Sequence, residues 1–147
     1  MLDRYLQRQA SRDVRKRVAA CFVMVEAATS TLAGYYTLSA TSVLLAELPE
    51  AMTRRLPRYP VVPAVLLGRL AVASKFQGKR LGAALLADAV TRASRADIAA
   101  WAIVTDPKDE TARSFYLEFG FHELAVPERR LCVPIEFFAA LSGAMRA

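Results

Sequence analysis

The chain has 147 residues, 54% hydrophobic and 23% charged, which is enough apolar material for one packed domain and too little charge for a disordered chain. Seven prolines and six glycines exclude collagen-like and low-complexity classes, and two cysteines, Cys21 and Cys132, cannot build a disulfide framework. The net charge of +6 points towards an acidic partner.

Leu2, Leu6, Ala10, Val14 and Val18 recur every four residues, with Tyr5 beside them. This predicts an amphipathic first helix whose other face is basic, since residues 4–17 carry +5. The same stretch has no apolar signal segment. Cys21 to Val25 reads as a short strand, Ala28 to Ser30 as a turn, and Leu32 to Ser42 as the second strand of a hairpin. Leu48-Pro49-Glu50 opens a short helix. Pro57, Pro60 and Pro63 mark an irregular connection. Residues 54–80 then carry +7 with no acid: Arg54, Arg55, Arg58, Arg69, Lys75, Lys79 and Arg80.

Val65 to Val72 reads as a buried central strand. The surrounding apolar run is broken by Pro63, Gly68 and Arg69 and is too short to span a bilayer. Gly78 and Gly82 bracket the start of a helix that buries Leu81, Leu85, Leu86, Ala89 and Val90. Ala100 to Val104 is a strand with Trp101 as a core residue. Asp109 caps a helix running to about Phe119, and Gly120 closes it. An extended piece from Phe121, a short strand at Leu131-Cys132-Val133 and a helix from Glu136 to Met145 complete the chain. The result is a single α/β domain with a mixed sheet. Free thiols and the missing export signal favour the reducing cytoplasm.

Two segments carry chemistry. Leu66 to Val72, followed by Gln77-Gly78-Lys79-Arg80-Leu81-Gly82, places glycines and bases at a strand–loop–helix junction. A helix N-terminus there offers free amides and a partial positive charge to a phosphate. Neither a Walker loop nor a Rossmann fingerprint is present, and an ordinary strand–helix turn with surface bases is the alternative. About thirty residues on stands Asp109-Glu110-Thr111-Ala112-Arg113-Ser114-Phe115-Tyr116-Leu117-Glu118-Phe119-Gly120-Phe121.

Together the two segments resemble the GNAT superfamily of acetyl-CoA-dependent N-acetyltransferases. Gln77 and Gly82 match the ends of its Gln/Arg-x-x-Gly-x-Gly/Ala motif. Ala112, Tyr116, Gly120 and Phe121 fall in step with its later helix. Gly34-Tyr35-Tyr36-Thr37-Leu38-Ser39, Leu67 to Val72 and the Ser114-Phe115-Tyr116 helix are similar to the toxin branch, which acetylates the amino group of aminoacyl-tRNA. The resemblance implies a GNAT-like domain with a mixed central sheet flanked by helices and splayed at the acetyl-CoA site. It assigns pantetheine to the backbone of Leu70, Ala71 and Val72, and pyrophosphate to Gln77, Gly78, Lys79, Arg80, Leu81, Gly82 and Ala83, with Ala112 beside the thioester. Tyr116 becomes the proton donor to the leaving thiolate; the other reading makes it a core aromatic packed beside Phe115 and Phe119. The resemblance further implies a ribbon-helix-helix-type antitoxin and a homodimer, and no metal.

Arg80 replaces the motif's middle glycine. A helical backbone there accommodates arginine, whereas a positive φ strains it. Asp109 stands where asparagine is usual. The family also has a strand ahead of the first helix, so the chain's start is expected to lie downstream of the usual one. No general base emerges by spacing from Glu26, Glu47, Glu110 or His122. This leans towards an α-amino acceptor, whose ordinary pKa is already about 7.7–8.0. His122 reads as structural. Cys21 and Cys132 read as buried thiols. The bases that coenzyme A does not need, Arg54, Arg55, Arg58 and Arg69, are the expected tRNA contacts, with Arg69, inside a strand, reading equally as a buried structural arginine. The competing functions are acetylation of a small amine or protein N-terminus, and a non-catalytic domain that binds a partner.

Overall fold

A computed structural model describes residues 6–124 and 129–138. Leu2, Tyr5 and most of the expected C-terminal helix lie outside them; residues 135–138 are helical. Six strands are hydrogen-bonded in the order β1-β2-β3-β4-β6-β5: β1 Ala20–Glu26, β2 Thr31–Leu44, β3 Val61–Val72, β4 Ala102–Thr105, β5 His122–Glu123 and β6 Leu131–Pro134. The β3–β4 pair is parallel, and the β1–β2, β4–β6 and β5–β6 pairs are antiparallel, so the sheet is mixed as expected. The helices are α1 Ser11–Arg15, α2 Glu50–Thr53, α3 Leu81–Arg95 and α4 Glu110–Glu118. The described chain forms two compact units. One joins residues up to 39 with 67–92, and the other joins 40–66 with residues from 93 onward.

In the first unit the opening helix ends earlier than its apolar spacing predicts. A π-helical turn, Leu6–Ala10, leads into α1, and Arg17 then takes φ 60. The Val18 and Arg17 amides donate back to the Asp13 and Val14 carbonyls at 2.9 and 3.0 Å, which closes the helix as a glycine would. Val18 is therefore outside the helix and 62% exposed, and Val14 is exposed as well. Ala10 of the expected stripe is buried, against Tyr35, Cys21 and Ala71.

The β1–β2 hairpin pairs Ala20 with Leu38 through to Glu26 with Thr31. Tyr36 is buried, stacks on Phe22 at 5.2 Å and donates its hydroxyl to Asp88. Asp88 also pairs with Arg92 at 3.0 Å, whose guanidinium lies 4.1 Å from the Phe22 ring centre. Both bonds favour the Asp88 carboxylate and hold its pKa below the usual range. Gly34 is fixed by sterics. A Cβ there would lie 2.7 Å from the Ala71 carbonyl oxygen and 2.9 Å from Leu85 Cδ1.

In the second unit Val43, Leu48, Val62, Ala64, Ala102, Val104, Leu124 and Cys132 form a core, with Trp101 packed against it. β3 begins at Val61 and takes Pro63 into the strand. Proline lacks an N–H, but its carbonyl accepts from the Trp101 amide at 2.9 Å. The expected Val65–Val72 strand is buried only in part, because Gly68 and Arg69 are exposed. Its parallel register with β4 covers Ala64, Val65 and Leu66. α4 behaves as its sequence dictates. Asp109, with extended backbone, accepts from the Ala112 amide at 2.8 Å. Gly120, at φ 94, and Phe121 donate back to Leu117 and Tyr116, and this stops the helix.

Candidate acetyl-CoA and acyl-transfer site

The segment expected to bind an anion lies in the first unit. After Leu70, Ala71 and Val72, the Ala73 amide donates to the Ala33 carbonyl at 2.8 Å, and a 3-10 turn Ser74–Phe76 buries Phe76. Gln77 Nε2 donates to the Val72 carbonyl at 3.3 Å, so its side chain braces the strand end. Gly78 has φ 83 and Arg80 φ 60, and α3 starts at Leu81. Alternating left-handed residues turn successive amides to one side and form a concavity suited to an anion. The N-terminal amides of this 15-residue helix, at Leu81, Gly82 and Ala83, add the dipole's positive end. Lys75 and Lys79 place their Nζ atoms 5.2 and 5.6 Å from the centre of the Phe76 ring, and that apolar support fixes two charges beside the turn. These groups fit a pyrophosphate.

Arg80 resolves the two conformations open to it: the backbone is left-handed, the one that strains a side chain. The cost is about 1–2 kcal/mol. Arg80→Gly removes this cost and gives back about 0.5–1 kcal/mol through a freer unfolded chain. The variant is therefore expected to be more stable by roughly 0.5–1 kcal/mol in urea denaturation. A loss of stability would mean that guanidinium contacts outweigh the strain.

Tyr116, the expected proton donor, lies in the second unit. β4 is buried along its length and ends at Thr105. Tyr116, on α4, is 5% exposed, with its ring against Phe115 and Phe121 at 5.1 Å each. The ring is core, as one of the two sequence readings has it, and Phe119 packs on Phe115 at 5.1 Å. Burial pushes the Tyr116 hydroxyl up to about 12, and a hydrogen bond from Thr105 offsets this in part. The phenol therefore keeps its proton at neutral pH. Ala112 is half-buried at the start of the same helix.

Thr105, which hydrogen-bonds the candidate donor, is a residue that sequence reading missed. Its only signal is a hydroxyl at the end of an apolar strand. The bidentate Arg130–Asp106 pair, 2.8 Å at both contacts, and the Arg113–Glu123 pair at 2.6 Å brace this end of the unit.

Among the described residues no candidate base is assembled. Glu26 accepts from Thr29 in the hairpin turn at 2.9 Å, Glu110 pairs with Arg129 at 3.4 Å, and Glu47 lies near Arg130. His122 is exposed on β5, opposite Cys132. Burial drives the Cys132 thiol up to about 12, which keeps it protonated at neutral pH, and it raises Cys21 as well. Among the described residues no three His, Cys, Asp or Glu side chains gather as metal ligands, and no helix is long and apolar enough to cross a membrane.

The four expected RNA-contacting arginines divide. Arg54, Arg55 and Arg58 are exposed together on the loop between α2 and β3. Arg69 lies on β3 in the other unit, exposed rather than buried, with its guanidinium donating to Tyr35.

The mixed sheet, the amide-lined turn before α3 and the capped helix bearing Tyr116 define an acyltransferase of the coenzyme A class. Residues 63–131 match the model of the acetyltransferase (GNAT) domain. A tRNA-acetylating toxin of Mycobacterium tuberculosis is 37% identical over 122 residues, covering 82% of this chain and 71% of that one. Among solved structures, AtaT complexed with acetyl-methionyl-tRNAfMet superposes with a TM-score of 0.85 at 27% identity, covering 95% of this chain and 85% of that one. AtaTR bound with AcCoA gives 0.79 at 26% identity, covering 95% and 84%. The chain belongs to the GNAT acetyltransferase family, in the branch that holds these toxins.

Proposed function

We propose that this protein is a toxin that transfers the acetyl group of acetyl-CoA to the α-amino group of aminoacyl-tRNA and so stops translation. It works as one GNAT domain in the cytoplasm, held in check by a ribbon-helix-helix-type antitoxin, and as a homodimer. The observation that carries this reading is the 37% identity to a tRNA-acetylating toxin across both chemical segments.

Gly78, Lys79, Arg80, Leu81, Gly82 and Ala83 take the pyrophosphate, and the backbone of Leu70, Ala71 and Val72 takes the pantetheine. Acetyl-CoA supplies an activated thioester. The acceptor's neutral amine attacks the carbonyl carbon, the C–N bond forms and the C–S bond breaks. The thiolate takes the Tyr116 proton, and the new amide loses its extra proton to water. Arg54, Arg55, Arg58 and Arg69 hold RNA phosphates.

A donor at about 12 sets the pH dependence. Tyr116 stays protonated through the alkaline range, so kcat/KM rises as the acceptor amine deprotonates and then stays level to about pH 10. A descending limb between pH 7 and 9 would assign the proton to another group. The biological reading is tested in cell-free translation. Synthesis stops when the protein and acetyl-CoA are both present and resumes on adding fresh aminoacyl-tRNA; continued synthesis would contradict the reading.

A further inference from the structure

The loop between α2 and β3 carries a feature that acetyl-CoA binding and proton donation leave unused. Tyr59 is 70% exposed, beside the exposed Arg54, Arg55 and Arg58. None of the four side chains forms a hydrogen bond or ion pair with another described residue. Yet the loop is pinned at both ends. Thr53 is buried and accepts from the Leu56 amide at 2.9 Å, and Leu56 packs on the core. At the other end the Pro60 carbonyl accepts from the Leu45 amide at 3.0 Å. Pro57 and Pro60 fix two further φ angles. The aromatic face is thus presented to water on ordered backbone, and little ordering cost remains to be met on binding.

Three guanidiniums without an ion pair among the described residues, next to an exposed aromatic ring, suit an anion that also has flat apolar faces. A nucleic-acid duplex supplies the phosphates but hides its base faces in the stack. An acidic protein segment supplies carboxylates and leaves the ring without a planar partner. A single strand supplies both phosphates and bases.

We propose that the 54–59 loop binds an unpaired stretch of RNA, with a base stacked on Tyr59 and the flanking phosphates on Arg54, Arg55 and Arg58. The inference rests on the reading that the acceptor is carried on tRNA. The test uses two fluorescent probes: uncharged tRNA with its unpaired 3′ end, and the same tRNA trimmed back to its last base pair. Tyr59→Ala weakens binding of the intact probe about ten-fold and leaves the trimmed probe unchanged. Tyr59→Trp keeps wild-type affinity, and both variants keep the wild-type Tm. Equal losses on the two probes, no loss on either, or a loss confined to an acidic protein partner would overturn the inference. If the wild type binds neither probe, the tRNA reading fails with it. If the wild type binds and acetylates while Tyr59→Ala is indistinguishable from it, only this inference fails.

Discussion

Tyr116→Phe is expected to lower kcat for acetyl transfer by about 10²–10⁴-fold while leaving the Kd for acetyl-CoA within two-fold. The substitution removes one oxygen and keeps the ring, so the contacts with Phe115 and Phe121 survive. The Thr105 hydroxyl loses its acceptor, which costs about 1 kcal/mol of stability. The split between rate and binding is the informative part. A merely structural tyrosine would show that stability loss with little change in kcat. A proton donor shows a far larger loss of rate, because coenzyme A thiolate must then leave without a proton. Single-turnover kinetics with saturating acetyl-CoA separate the chemical step from product release. A rate within two-fold of wild type would remove Tyr116 from the mechanism.

Gly34→Ala is expected to destabilise the fold by about 2–3 kcal/mol. The added methyl would meet the Ala71 carbonyl at 2.7 Å and Leu85 Cδ1 at 2.9 Å, with Val72 Cα at 3.5 Å. The first of these is backbone and cannot rotate away, so β2 and the end of β3 must separate. In thermal unfolding the Tm falls by about 5–10 °C. The displaced backbone is also the segment assigned to pantetheine, so acetyl-CoA binds more weakly to whatever fraction remains folded. An unchanged Tm would mean that the strands part at no cost. Unchanged acetyl-CoA affinity in the folded fraction would move the pantetheine contact away from Leu70–Val72.

Local chemistry was legible in the sequence where its partners are close in the chain. Asp109 caps Ala112 three residues on, and Gly120 closes the same helix, so α4 could be read almost to its ends. The strand around Ile103 was equally plain, because an apolar run of that length has few other uses. Long-range pairs were not legible. Nothing local links Asp106 to Arg130, or Thr105 to Tyr116, and these contacts set the environment of the proposed donor. Backbone sign was hidden at Arg17 and left open at Arg80, where only the replaced motif glycine pointed to a left-handed turn. Arg17 ends the first helix before Val18, and Arg80 bends the anion turn; both adopt φ 60. The apolar spacing of the first helix misled for the same reason, since periodicity reports a pattern and not where the chain leaves it. At Pro63 a residue that usually breaks strands sits inside one, because its carbonyl, not its missing amide, faces the Trp101 donor.

The central claim is acetylation of an amine carried on RNA. Its most direct test incubates the protein with labelled acetyl-CoA and matched pools of charged and deacylated tRNA. The predicted result is label on charged tRNA alone, released by mild base as an N-acetyl amino acid and reduced about 10²–10⁴-fold by Tyr116→Phe. Label on deacylated tRNA, label confined to small amines or protein N-termini, or no label at all would contradict it.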